Sequence, residues 1–296
     1  MIIETENLTK RFRRHGAVQG VSLSVPEGAT YALIGANGAG KTTLMRMLVN
    51  ILAPDAGSAH VLGTDSRRLR SDDRLRIGYL TENQELPDRL SIAQYFEYLR
   101  ALYPNWDGTL EQQLRQQFEL PPSRLLGKLS HGMRMKAMLI GALAFRPRLL
   151  ILDEPLSGLD PLVRDEVMSG MLTQAGETTI LISSHELAEI EGCTTHVAFM
   201  VRGKLIFQET IESLGARFRD VTVTFAQAAV APGLPESWVN PQVDGSLLRF
   251  IDTAFTDESR LREQVQKFGG VHHLEVLPLS LRDISKEMMR ATRREA

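Results

Sequence analysis

Residues 35–43 read Gly-Ala-Asn-Gly-Ala-Gly-Lys-Thr-Thr, after the apolar run Tyr31-Ala-Leu-Ile34 and before the helical pattern Leu44–Val49. This is a complete G-x-x-x-x-G-K-[ST] loop between a strand and a helix, the setting in which such a loop cradles phosphate. Gly35, Gly38 and Gly40, with Asn37 between them, let the backbone turn its N–H groups inward at a helix N-terminus. Lys41 adds a point charge for the β- and γ-phosphates, the Thr42 hydroxyl is a ligand for Mg²⁺, and Thr43 completes the loop. The run is Gly-x-x-Gly-x-Gly, not the G-x-G-x-x-G of dinucleotide folds, which argues against a nicotinamide enzyme. A Mg-nucleotide is the expected ligand.

The 296 residues suffice for one large domain and a smaller one. A net charge of −2 lacks the concentrated basic excess of a nucleic-acid binder. Arg11/Arg13/Arg14, Arg67/Arg68/Arg70 and Arg290/Arg293/Arg294 lie among acidic residues and read as solvated surface. The single Cys193 excludes an internal disulfide and points to a reducing compartment. Glu4, Glu6 and Lys10 occupy the place of a signal-peptide core, so a cytoplasmic location is expected. The longest apolar run, Ala137 to Phe145, is about half of the ~18–20 residues that a span requires and reads as a buried helix. Any membrane role then passes through a partner.

Strands are predicted at Ile2–Leu8, Ala17–Val25, Thr30–Ile34, Ala59–Leu62 and Ile77–Leu80. Helical patterning follows from about 86 to 145, with Ser91 capping Ile92–Leu102, Thr109 capping a Gln-rich stretch to Phe118, and Pro121-Pro122 as a break. Strands resume at Leu149–Leu152, Thr178–Ile182 and His196–Val201, with a helix from Pro161 to Gln174 between them. The alternation predicts an α/β sandwich with binding loops at the carboxyl ends of its strands. Composition changes near 216. Val221–Phe225 reads as strand, Ala226–Pro241 as loop, and Leu247–Ile251, Ser259–Phe268, Val271–Leu277 and Ser280–Arg290 as strand, helix, strand and helix, a small α+β appendage.

What accompanies the phosphate loop narrows its use. Leu149-Leu-Ile-Leu-Asp153-Glu154-Pro155 is a buried strand ending in two carboxylates, Asp153 suited to Mg²⁺ and Glu154 to an attacking water. Leu129-Ser130-His131-Gly132-Met133 opens a helix whose Ser130 and Gly132 N–H suit an anion. Ser157-Gly158-Leu159-Asp160 and Ser183-Ser184-His185 follow.

In this order the pieces resemble the ATP-binding cassette (ABC) family over about residues 1–215. The resemblance implies a P-loop ABC ATPase sandwich with an antiparallel β subdomain and a helical insertion. It makes Gly35–Thr43 the Walker A loop, Leu149–Asp153 the Walker B strand and Glu154 the catalytic carboxylate. Leu129–Met133 becomes the signature loop, Ser157–Asp160 the D-loop, His185 the switch histidine and Phe12 the aromatic stacked on adenine. Two positions depart from the family: His131 and Met133 replace the Gly and Gln of Leu-Ser-Gly-Gly-Gln, and the glutamine after Ile77–Leu80 falls at Glu82, with Gln84 the other candidate for that role.

One phosphate loop and one signature loop imply, by the resemblance, a head-to-tail pair with two shared sites, formed by a homodimer or a paralogous cassette. The family also implies an integral-membrane permease partner, placing the chain on the inner face of the membrane. Tyr79, Tyr95, Phe96, Tyr98, Tyr103 and Trp106 crowd one region; Tyr95, Tyr98, Leu99 and Leu102 share a helical face, and the family's permease docks there. Val276–Ile284 resembles the tail of ABC-2-type exporter ATPases, which points to export of a drug, peptide or lipid-linked cargo. The alternative is a soluble nucleotide-gated regulatory module with weak turnover.

Overall fold

The structure, a computed structural model, describes residues 1–172, 178–227 and 233–294. The chain divides into two compact units, Met1–Gln208 and Glu209–Ala296. Within the second unit, Arg217 donates to the Glu209 carboxylate and to the Thr253 carbonyl oxygen.

The first unit runs β1 (Ile3–Phe12), β2 (His15–Val21), β3 (Ser24–Val25), β4 (Thr30–Ile34), α1 (Lys41–Leu48), β5 (Ala56–Val61), β6 (Thr64–Asp65), α2 (Ser71–Arg74) and β7 (Ile77–Thr81). It continues through α3 (Ile92–Leu102), α4 (Gly108–Gln117), α5 (His131–Leu143), β8 (Leu149–Asp153), α6 (Pro161–Leu172), β9 (Thr179–Ser184), β10 (His196–Val201) and most of β11 (Lys204–Thr210). The expected strand Ala17–Val25 is thus two strands, and the expected helix end at Gln174 lies outside the described residues.

Strands β2, β1, β5 and β6 form an antiparallel layer in that order, with β3 on β1. A second sheet has the order β11-β10-β4-β9-β8-β7. Its central β4, β8 and β9 are buried at every residue, as parallel strands covered on both faces must be. The layers meet on one core, to which α1 contributes Leu44, Met45, Met47 and Leu48, all fully buried. Each such side chain contributes roughly 1.5–3 kcal/mol of transfer free energy, so the helix that opens at the phosphate loop is anchored from below.

Helices α3 to α5 form the insertion. Ser91 caps α3 through a reciprocal capping box with Gln94. Asp107, not Thr109, caps α4: its carboxylate accepts from the N–H groups of Thr109 and Leu110. A carboxylate in this position outcompetes a hydroxyl for two orphan amides. These bonds, first that to Leu110, and then Arg146 lower the Asp107 pKa. The expected apolar face of α3 is divided: Tyr95 is buried and Leu99 half-buried, while Tyr98 and Leu102 are exposed.

The second unit contains α7 (Ile211–Arg217), β12 (Arg219–Phe225), β13 (Trp238–Asp244), β14 (Leu247–Asp252), α8 (Glu258–Gln266), β15 (Val271–Pro278) and α9 (Leu281–Arg294). Its antiparallel sheet has the order β13-β14-β12-β15. β13 corrects the expected loop over Ala226–Pro241. Trp238 stacks on Phe250 at 4.0 Å between ring centroids, which holds the segment to β14. Pro241 is tolerated at a register shift on an edge strand.

Candidate nucleotide site

The site is assembled by strand register. β4 pairs with β9 so that Ile34 faces Ser184, and β8 pairs with β9 so that Asp153 faces Ser183. Three adjacent parallel strands therefore end at one level, and the loops beyond their carboxyl ends converge.

The phosphate loop closes tightly against neighbouring backbone. Gly40 has φ 103°, and a Cβ there would lie 2.2 Å from the Ala17 carbonyl oxygen; a Cβ on Gly35 would lie 2.4 Å from that of Met200. These positions exclude side chains, so only glycine lets the loop turn this close to its neighbours. Lys41 is 5% exposed. Its Nζ donates to the Gly35 carbonyl and lies 2.9 Å from Glu154 Oε1.

Asp153 is buried, and its Oδ1 accepts from Thr42 Oγ1 at 3.0 Å and Ser183 Oγ at 2.9 Å. The next residue, Glu154, has φ 53°, a costly conformation for a side chain larger than glycine's. Pro155 disfavours the right-handed helical region for Glu154, whose N–H donates to Ser183 Oγ at 2.9 Å. That turn sends its carboxylate to Lys41 on one side and to His185 Nδ1 on the other, 3.2 Å from Oε2.

Phe12, His15, Ala17, Asn37, Gly38, Gly40, Lys41, Thr42, Thr43, Glu82 and Glu154 line one cleft of about 500 Å³. Its parts suit ATP: loop amides and Lys41 for phosphates, and the half-exposed Phe12 ring at the rim for a base. Thr42 and Asp153 supply one hydroxyl and one carboxylate, the sparse protein set that Mg²⁺ accepts while keeping waters. Among the described residues no group of three or more His, Cys, Asp or Glu is placed to hold another metal. Glu82 lines the cleft and its N–H donates to the Asp153 carbonyl; Gln84 is not among the lining residues. Sequence reasoning did not single out His15, which lines the cleft, or a role for Ser183, whose hydroxyl joins Asp153 to Glu154. Only the pairing of distant strands reveals either.

Ser130, Gly132 and Asp160 do not line this cleft. Ser130 caps α5 by accepting from the Met133 N–H. His131 Nε2 lies 3.1 Å from the Ser157 carbonyl oxygen. Asp160 accepts from the Val163 N–H at the start of α6. No helix of the described residues is long and apolar enough to cross a membrane.

The profile of the family described as "ABC transporter" matches residues 18–157. The chain is 33% identical to the bacitracin transport ATP-binding protein BcrA of Enterococcus faecalis, over 75% of this chain and 73% of that one. It is 32% identical to the daunorubicin resistance ATP-binding protein DrrA2 of Streptomyces coeruleorubidus, over 79% of each. A solved ATP-binding subunit of an ABC transporter superposes with a TM-score of 0.66 at 25% identity, covering 72% of this chain and 92% of that one. A dimeric ATP-binding cassette in a post-hydrolysis state with ADP and phosphate shares the fold at 20% identity, with a TM-score of 0.63 over 71% of this chain and 98% of that one.

Proposed function

This chain belongs to the ABC transporter family of ATP-hydrolysing cassettes, and from that premise we propose that it is the ATPase subunit of an exporter, driving a separate membrane permease by ATP-dependent pairing with a second copy of itself. The observation that carries the reading is the placement of Glu154 between Lys41 and His185, in contact with each, together with the Thr42–Asp153 hydrogen bond.

In this reading the loop amides and Lys41 hold the β- and γ-phosphates, and His185 contacts the γ-phosphate. Glu154 orients water for attack on the γ-phosphorus and accepts its proton, while the bond to the ADP oxygen breaks. Mg²⁺, held by Thr42 and Asp153 with Glu82 nearby, would neutralise phosphate charge. Catalysis of this kind is positioning and electrostatics, with no covalent intermediate required.

Ser130, Gly132 and Asp160 lie outside the cleft, which supports a role toward the site of a second copy. A two-fold pair completes two such sites at once. The similarity to proteins named for bacitracin transport and daunorubicin resistance supports export of a drug or peptide cargo. Exposed Tyr98 and Leu102 on α3 supply apolar area for the permease, and the chain then works on the cytoplasmic face of the membrane. The 216–296 region is proposed as an accessory domain.

The test is the solution mass of Glu154→Gln with and without Mg-ATP. A shift from monomer to dimer only with nucleotide supports pairing; a monomer with nucleotide demonstrably bound overturns it.

A further inference from the structure

Outside the cleft, one buried carboxylate has no part in the chemistry above. Glu189, 6% exposed, places Oε1 at 2.9 Å from Arg164 Nη1 and accepts from Ser184 Oγ at 2.6 Å through Oε2. A charge withdrawn from water to this extent is costly and is poorly explained by stability alone, since apolar packing serves as well. Its two partners show what it joins. Ser184 precedes His185, and its carbonyl accepts from the Gly35 N–H at 3.3 Å. Arg164, in the first turn of α6, extends Nη2 to 3.5 Å from the Leu159 carbonyl oxygen.

The same turn of α6 bears on the signature loop. A Cβ on Gly132 would lie 2.8 Å from Val163 Cγ1, so the loop packs on the helix with no space between them. His131 Nε2 reaches the Ser157 carbonyl oxygen at 3.1 Å. A continuous path of polar and packed contacts therefore runs from Gly35 and His185 through Ser184, Glu189 and Arg164 to residues 157–160, and from there to Ser130–Gly132.

We propose that Ser184, Glu189 and Arg164 are positioning residues that couple the chain's own γ-phosphate site to the placement of the signature loop it lends to a second copy. The proposal rests on the paired-site reading above. When His185 turns from Glu154 to a γ-phosphate, the adjoining Ser184 moves against Glu189. The ion pair passes that displacement to α6, and the signature loop follows because it is packed on the same turn. One site thereby reports its occupancy to the other through two chains, which is a coupling free energy between sites.

Glu189→Gln tests it, because the amide keeps an acceptor for Ser184 and removes the charge that holds Arg164. ATP hydrolysis is measured against ATP concentration, together with equilibrium affinity for a slowly hydrolysed ATP analogue and the melting temperature. The expected result is analogue affinity within about twofold of the wild type, kcat lower by about ten- to a hundredfold, and a Hill coefficient falling toward about 1. Arg164→Lys keeps the charge but offers a single nitrogen, and is expected to lie between Arg164→Ala and the wild type in kcat. It carries the comparison if Glu189→Gln does not fold. A lower melting temperature with kcat and Hill coefficient unchanged would mean a structural pair only and overturns the proposal. Glu154→Gln run alongside separates the failures: if it hydrolyses ATP as the wild type does, the site reading itself falls; if it is inactive while Glu189→Gln is indistinguishable from wild type, the coupling alone falls.

Discussion

Lys41 Nζ and Glu154 Oε1 lie 2.9 Å apart, so the cation proposed to hold phosphate is paired with the carboxylate proposed to orient water. On that proposal nucleotide must separate them. Both side chains are largely buried, at 5% and 16% exposure, where an ion pair is screened less than at the surface. Glu154→Gln weakens the pair while keeping its shape. Its affinity for Mg-ATP is expected to rise by about 1 kcal/mol, roughly fivefold, with hydrolysis lost. A nucleotide titration showing weaker binding would mean that Glu154 aids the ground state instead.

Phe12 stands at the rim of the cleft with 48% of its surface exposed. Removing it costs the fold little, whereas stacking on a base contributes about 1–3 kcal/mol. Phe12→Ala is expected to weaken ATP by about tenfold with the melting temperature nearly unchanged. Equal affinities would place the adenine elsewhere.

Two loop glycines separate backbone strain from close approach. Gly38 has φ +82° with nothing within 4 Å of a built Cβ, while Gly40 combines φ +103° with the Ala17 carbonyl oxygen at 2.2 Å. Gly38→Ala is expected to cost about 1–2 kcal/mol from the left-handed conformation. Gly40→Ala is expected to cost more and to abolish ATP binding, because the loop must move off β2. Thermal melts and nucleotide binding measured on both variants check the order.

The Asp107 carboxyl is held below its ordinary pKa, first by the Leu110 N–H and then by Arg146. A group depressed in the folded state stabilises above its unfolded value and loses that contribution as pH falls through the folded one. Asp107→Asn keeps a cap but drops the charge, so its melting temperature is expected to lie below wild type at pH 7 and to converge with it below about pH 4. Asp107→Ala removes the cap as well and costs about 1 kcal/mol at pH 7. A gap between wild type and Asp107→Asn that widens on acidification would contradict the sign.

Trp238 is 4% exposed and stacked on Phe250. Trp238→Ala is expected to destabilise the second unit by about 3–5 kcal/mol, read as an earlier unfolding transition for Glu209–Ala296. An unchanged transition would show that the ring is dispensable to that core.

The sequence by itself determined the elements with a strong local cause. Glycines at fixed spacing, with Lys41 and Thr42 behind them, define the phosphate loop because backbone conformation and charge there are local matters. Ser91 announces a helix start, and Leu149–Leu152 announces a buried strand. The weaker assignments had competing local readings: Thr109 and Asp107 are both capping residues, and a stretch rich in Ala, Pro and Gly conceals the strand at Trp238, whose cause is a ring stacked on a distant strand. Only the tertiary structure decided what meets what. Ile34 faces Ser184 and Asp153 faces Ser183 because three parallel strands share one register, and from that follow the contacts of Lys41 with Glu154, Glu154 with His185, and Glu189 with Arg164. Long-range pairing is set by the summed burial of whole strands, a property that no short window of residues contains.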